Sequence, residues 1–147
     1  MVLFYMKAYL PYLLAMSAGI FTALEVGINA RLGKIVTPKI ATLHSLIVGV
    51  LFFFLINLLQ GSLYQYKNIF KVNPIWLIGG VFGALIIFIA TKTVPKLGIT
   101  TTLILVISAE VLTGLFIDCF ITRAQIFSVV KILGLIFVLV GIYILVD

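Results

Sequence analysis

Five apolar runs of similar length, separated by short polar stretches, constrain this chain more than any other feature. They cover residues 8–30, 40–59, 74–90, 98–117 and 126–146. A helix needs about 20 apolar residues to cross the roughly 30 Å hydrocarbon core of a bilayer. Strands are excluded, because lipid offers an open sheet edge no partner and a barrel would alternate apolar with polar residues. The expected fold is all-α: an integral membrane protein of five transmembrane helices, one domain over residues 1–147. Composition agrees. Apolar residues make up 64% and charged residues 10% of the chain, against about 25% charged in an ordinary soluble domain. So short a chain has no interior that could hide this much apolar surface from water.

The separators, residues 31–39, 60–73, 91–97 and 118–125, carry the helix breakers Gly33, Pro38 and Pro95. The longest holds Tyr64, Tyr66 and Phe70, with Trp76 just beyond it. These rings read as an aromatic belt at the membrane–water interface. Asp118, which follows the fourth run, reads as an interfacial ion pair with Arg123 in the loop or as a helix-end device. Lys7 followed by an apolar run loosely resembles a signal peptide, but the run continues to Ala30, so a retained span is expected.

Small residues suggest where helices touch. The first run has Ala15, Gly19, Ala23 and Gly27 at every fourth position. The third has Gly79 and Gly83 in the same spacing, and the fifth has Gly134 and Gly141 seven apart. In lipid, helices associate by close backbone approach, so such stripes are candidate packing faces.

The net charge of +6 does not point to nucleic acid, because the basic residues are scattered between apolar runs and form no continuous basic surface. Their distribution carries a different message. Orientation follows the balance of Lys and Arg in short loops, and five spans put the termini on opposite sides. Lys7, Lys67, Lys71, Arg123 and Lys131 fall on one side; Arg31, Lys34, Lys39, Lys92 and Lys96 fall on the other. Setting aside Lys92 and Lys131, which lie close to helix ends, leaves four against four. With no bias, the chain is expected to insert both ways up and to pair with itself as an antiparallel homodimer. Such a pair rebuilds, from two identical chains, the inverted repeat of many transporters. In an asymmetric dimer of this kind, exchanging the roles of the two chains converts an inward-facing state into an outward-facing one of equal energy.

Ionisable groups within a span are costly and face a bundle interior or a water-filled cavity. Glu110 lies near the middle of the fourth run. Glu25 lies in the first, about two turns before Arg31, and His44 lies in the second, just past Lys39. Glu25 and His44 therefore share a depth. Glu25 shares a helical face with Ala18, Thr22 and Asn29; Glu110 shares one with Thr102, Val106, Thr113 and Gly114. Carboxyls on small or polar faces suit a site that alternately holds a proton and a cation. The expected substrate and proton site comprises Glu110, Glu25, Asn29, His44, Thr22 and Thr113. There is no metal-ligand cluster, nucleotide-binding loop or nucleophile–base motif, so neither a cofactor nor an enzymatic activity is expected. The single cysteine, Cys119, excludes an internal disulfide.

Longer stretches carry a family resemblance. Residues 25–33 (EVGINARLG), the run around Ser45 and Gly49, and residues 74–84 (PIWLIGGVFGA) are similar to the YdcZ family. So are residues 95–100 (PKLGIT), 110–120 (EVLTGLFIDCF) and 131–141, in order and at matching spacing. That family comprises the half-size, five-helix members of the drug/metabolite transporter superfamily. The resemblance implies an EamA-like half unit in a bacterial-type plasma (inner) membrane, paired as an inverted homodimer or with an oppositely oriented paralogue. It supplies no substrate. Two departures stand out: Glu25 and Glu110 replace residues that the family pattern gives as Gln, and Asp118, Cys119, Phe120 and Ile121 stand where it reads Asp-His-Phe-Gly. The first change adds up to four carboxyls per dimer and favours a cationic substrate or proton coupling.

The expectation is a secondary transporter of a small metabolite or organic cation, proton-coupled and working by alternating access. The alternative is a membrane-embedded accessory subunit with no transport of its own. A passive channel would call for a ring of charge or a filter motif, and neither is present.

Overall fold

The computed structural model describes residues 2–120 and 129–146. These form five α-helices: α1 (Val2–Ile35), α2 (Pro38–Leu59), α3 (Gly79–Leu97), α4 (Ile99–Phe120) and α5 (Val129–Val146). Two 3₁₀ segments, Leu63–Lys71 and Pro74–Ile78, lie between α2 and α3. The first residues expected for the fifth helix, 126–128, lie outside the described residues, as does Arg123. Among the described residues four helices are long and apolar enough to cross a membrane: Tyr9–Ile35, Pro38–Leu59, Pro74–Leu97 and Ile99–Asp118. The all-helical membrane architecture agrees with the apolar runs. The chain divides into two units, Met1–Lys96 and Leu97–Asp147.

In the first unit, helix ends differ from expectation where breakers were assumed to break. The separator at 31–39 shrinks to Val36 and Thr37, because α1 continues through Gly33 to Ile35. Thr37, extended at φ −179° and ψ 158°, is the N-cap of α2, and its Oγ1 accepts from the Ile40 N–H at 3.2 Å. Pro38 takes the first helical position, where the missing N–H leaves nothing unsatisfied. A helical glycine costs about 1 kcal/mol relative to alanine, and Gly33 has a packing reason to be one. A Cβ there would lie 2.7 Å from Cγ2 of Thr91 on α3 and 3.5 Å from Cα of Pro38. The supposed breaker is a contact point.

The C-terminal end of α2 closes as a Schellman turn. Gly61 adopts φ +64°, its N–H reaches the Leu58 carbonyl at 3.1 Å, and the Ser62 N–H reaches that of Asn57 at 2.9 Å. The loop expected at 60–73 is therefore mostly 3₁₀ helix. Asn73 caps the next segment, its Oδ1 accepting from the Ile75 N–H at 3.1 Å, with Pro74 following. The third span thus starts as 3₁₀ helix and becomes α-helical only at Gly79. It also runs on through the separator expected at 91–97. Pro95 sits within the last turns of α3, where the missing N–H leaves one carbonyl, that of Thr91, without its helical partner. The chain leaves the helix at Gly98, whose φ of +82° is open to glycine at no steric cost.

Close packing in this unit is confined to one end. The buried residues are Val26, Asn29 and Ala30 on α1, Ala41 and Thr42 on α2, and Ala90, Thr91 and Val94 on α3. All are small or medium-sized, as van der Waals packing in lipid favours. Towards the far end of α2, Phe52, Phe53 and Phe54 are each at least half exposed. The candidate packing stripes are only partly covered on the single chain. Ala15 and Gly19 are exposed, and Ala23 and Gly27 are half-buried. A Cβ on Gly19, Gly79 or Gly83 would meet nothing within 4 Å. Small residues permit close approach without creating attraction. The contact forms instead at Gly33, next to the two-residue turn that ties α1 to α2.

In the second unit, Gly98 opens α4: both the N–H and the Oγ1 of Thr102 donate to its carbonyl, at 3.3 and 2.7 Å. Thr102 is buried. α5 contributes 18 almost uninterrupted apolar residues.

Candidate functional site

The turn at Val36 and Thr37 folds α2 back along α1. Glu25 lies six residues before Arg31, and Ser45 six residues after Lys39. At 1.5 Å per residue, both sit about 9 Å along their helices from a headgroup-level cation. Asn29 follows Glu25 by one turn, so the two share a face of α1. Ser45 lies between them. Its Oγ–H donates to Glu25 Oε1 at 3.2 Å, and Asn29 Nδ2–H donates to Ser45 Oγ at 3.2 Å. Asn29 is 5% exposed, Ser45 half-buried and Glu25 exposed. A donor chain therefore runs outward from the buried interface and ends on a carboxylate. Among the described residues Glu25 has no ion-pair partner.

The other expected site residues are placed differently. His44 is exposed on α2 and forms no hydrogen bond with Glu25 or Asn29 among the described contacts; the depth match that singled it out is met instead by its neighbour. Thr22 is exposed and turns back on its own helix, its Oγ1 donating to the Ala18 carbonyl at 3.0 Å. Glu110 and Thr113 are exposed on α4, in the second unit. Glu110 lies 11 residues from the start of the Ile99–Asp118 span and eight from its end, with half-buried Val106 and Gly114 on the same face. Asp118 is half-buried in the last turn of α4. No group of three or more His, Cys, Asp or Glu able to hold a metal ion occurs among the described residues.

Ser45 is the residue in contact with Glu25 and Asn29 that sequence reasoning left out of the candidate site. The signal was present: it is the polar residue of α2 at the depth of Glu25. The ionisable side chain one position earlier drew attention away from it, although adjacent helical positions point about 100° apart. One further polar group is notable. Thr91 Oγ1, buried behind Gly33, has no hydrogen-bond partner among the described residues.

At the far end of α2, a cleft of about 770 Å³ is bounded by Phe53, Phe54, Asn57, Ser62, Tyr66 and Ile69, among others. Ser62 Oγ donates to Asn57 Oδ1 at 2.7 Å on its rim. Trp76, Tyr64 and Tyr66 are 77%, 67% and 66% exposed on the neighbouring 3₁₀ segments.

Four helices among the described residues that are long and apolar enough to span a bilayer define a polytopic integral membrane protein. Residues 10–144 match the family DMT_YdcZ, described as "Putative inner membrane exporter, YdcZ", and the chain belongs to that family. It is thus an inner-membrane transporter, working in the lipid bilayer on a small-molecule substrate. No curated protein matches it, and no solved structure does.

Proposed function

We propose that the protein is a secondary transporter, not an enzyme, that exchanges a small organic cation for protons. It works as a dual-topology antiparallel homodimer of five-span chains. The observation that carries this reading is the setting of Glu25. Its carboxylate lies about 9 Å inside the level of Arg31, accepts from one neutral donor, Ser45, and is exposed on the single chain. An ionised group left against acyl chains costs several kcal/mol. That surface therefore calls for a water-filled cavity or a second protein surface, and Glu110, exposed on α4, makes the same demand.

A second copy in the opposite orientation supplies such a surface, and the even split of Lys and Arg favours its insertion. Each carboxylate then binds the cation in one state and gives it up on protonation in the other. Exchange of roles between the two chains alternates access without a separately designed gate.

The test is uptake of a panel of organic cations into proteoliposomes under an imposed pH gradient. Uptake should follow the gradient and collapse when a protonophore dissipates it. Uptake indifferent to the gradient contradicts proton coupling. A correctly inserted dimer that carries no cation at all points instead to an accessory subunit.

A further inference from the structure

Most of what Glu25 can do is decided by the two groups behind it. Ser45 has one hydroxyl hydrogen. Asn29 Nδ2 donates to its oxygen, so that hydrogen is directed at Glu25 Oε1, 3.2 Å away. The amide orientation follows from the same count: with the hydrogen committed to a carboxylate, the remaining lone pairs of Ser45 call for a donor, and Nδ2 is the donor end of Asn29. Asn29 is 5% exposed, so packing holds this arrangement in place. Oε1 is thereby engaged, while Oε2 accepts no hydrogen bond among the described residues.

We infer that Ser45 and Asn29 are positioning residues that reserve one oxygen of Glu25, Oε2, for the proton and the cation. Oε1 stays anchored whether the carboxyl is charged or neutral, since the carbonyl oxygen of a protonated carboxyl still accepts from Ser45. The proton arrives on Oε2 and leaves from it, and no covalent bond changes elsewhere. The Ser45 hydrogen bond is stronger to the anion than to the acid. Other charged or titratable groups on the surrounding elements are Arg31 and Lys34 on α1, Lys39 and His44 on α2, and Lys92 and Lys96 on α3. None is in recorded hydrogen-bond or ion-pair contact with Glu25. This inference deepens the proposed function, because it assumes that Glu25 exchanges protons.

The test reads Glu25 directly, without substrate. In a Glu110→Gln background Glu25 is the sole glutamate. Carboxyl-labelled glutamate then isolates its infrared bands in the full chain in lipid bilayers. With Ser45 present, the two carboxylate stretches should be widely split, as unequal oxygens require. Ser45→Ala should narrow the splitting, because the loss of the one recorded hydrogen bond leaves the two oxygens alike. Ser45→Thr, which keeps the hydroxyl, should restore it. Asn29→Leu should narrow the splitting less than Ser45→Ala, since the hydroxyl hydrogen becomes free to turn away.

The same splitting in Ser45→Ala as in the parent overturns the inference, whatever transport does. A narrowing that Ser45→Thr fails to reverse overturns it as well, because a general packing defect would give that result. If the bands behave as expected but the parent protein carries no cation, the positioning role stands and the transport reading fails.

Discussion

Two glutamates occupy the spans of this chain, and their surroundings differ. Glu25 on α1 is held by Ser45, which is held in turn by buried Asn29. Glu110 on α4 is exposed, shares its face with Thr102, Val106, Thr113 and Gly114, and has no hydrogen-bond partner among the described contacts. Both carry the cost of a carboxyl at membrane depth. The chain supports one from within and leaves the other wholly to whatever covers α4. An oriented carboxylate suits a binding site of fixed geometry. An unsupported one responds most directly to the arrival of a proton or a partner surface. Under the proposed exchange both carboxylates take up the proton and the cation in turn, and the difference predicts that loss of Glu110, which has no internal support, costs transport more than loss of Glu25.

Charge-neutral replacements break or sharpen that contrast. Glu110→Gln should lower gradient-driven uptake roughly a hundredfold, because nothing else on its face compensates. Glu25→Gln should lower it about tenfold, since the amide carbonyl still accepts from Ser45 and keeps the site's shape; these losses correspond to about 2.8 and 1.4 kcal/mol. Initial uptake rates at matched protein density provide the measure, and equal losses would erase the contrast between the two.

Packing gives a second contrast, between the closed end of the first unit and its open faces. Gly33→Leu drives a side chain into Thr91 Cγ2 and Pro38 and should destabilise the protein by about 1–3 kcal/mol. Gly83→Ala, placed where nothing lies within 4 Å, should stabilise the chain by about 0.5–1 kcal/mol through helix propensity. Thermal unfolding in detergent reports both, and a loss at Gly83 would identify its face as one that a second copy covers. Thr37→Ala removes the cap on α2 and should cost about 1 kcal/mol, read as a lowered melting temperature with transport retained.

The spans were legible because lipid enforces a simple pattern: long apolar runs between polar gaps. Their ends were less so. Gly33 and Pro95 lie inside helices and Pro38 opens one, since a breaker's effect depends on its position: Pro38 takes the first helical slot, Pro95 the last turns, and Gly33 a contact with Thr91. The 3₁₀ character of 63–71 and 74–78 has no comparable hydrophobic signature. At the site, Glu25 and Asn29 were visible as polar residues one turn apart. Ser45 was not, because a hydroxyl within an apolar run is unremarkable until the turn at Val36 and Thr37 sets the register of α2. Which faces remain uncovered, as at Gly19, Gly79 and Gly83, depends on three-dimensional packing that stripe spacing alone does not encode.

The most direct measurement concerns orientation, on which the inverted dimer depends. Replacing the single cysteine by Cys119→Ser and introducing Gln65→Cys in the exposed 3₁₀ segment places one reporter at one membrane face. An impermeant maleimide applied to intact cells should label roughly half of the molecules that become reactive on permeabilisation, as an unbiased charge distribution requires. Labelling of all of them, or of none, would mean a single orientation and would contradict pairing with an inverted copy of the same chain.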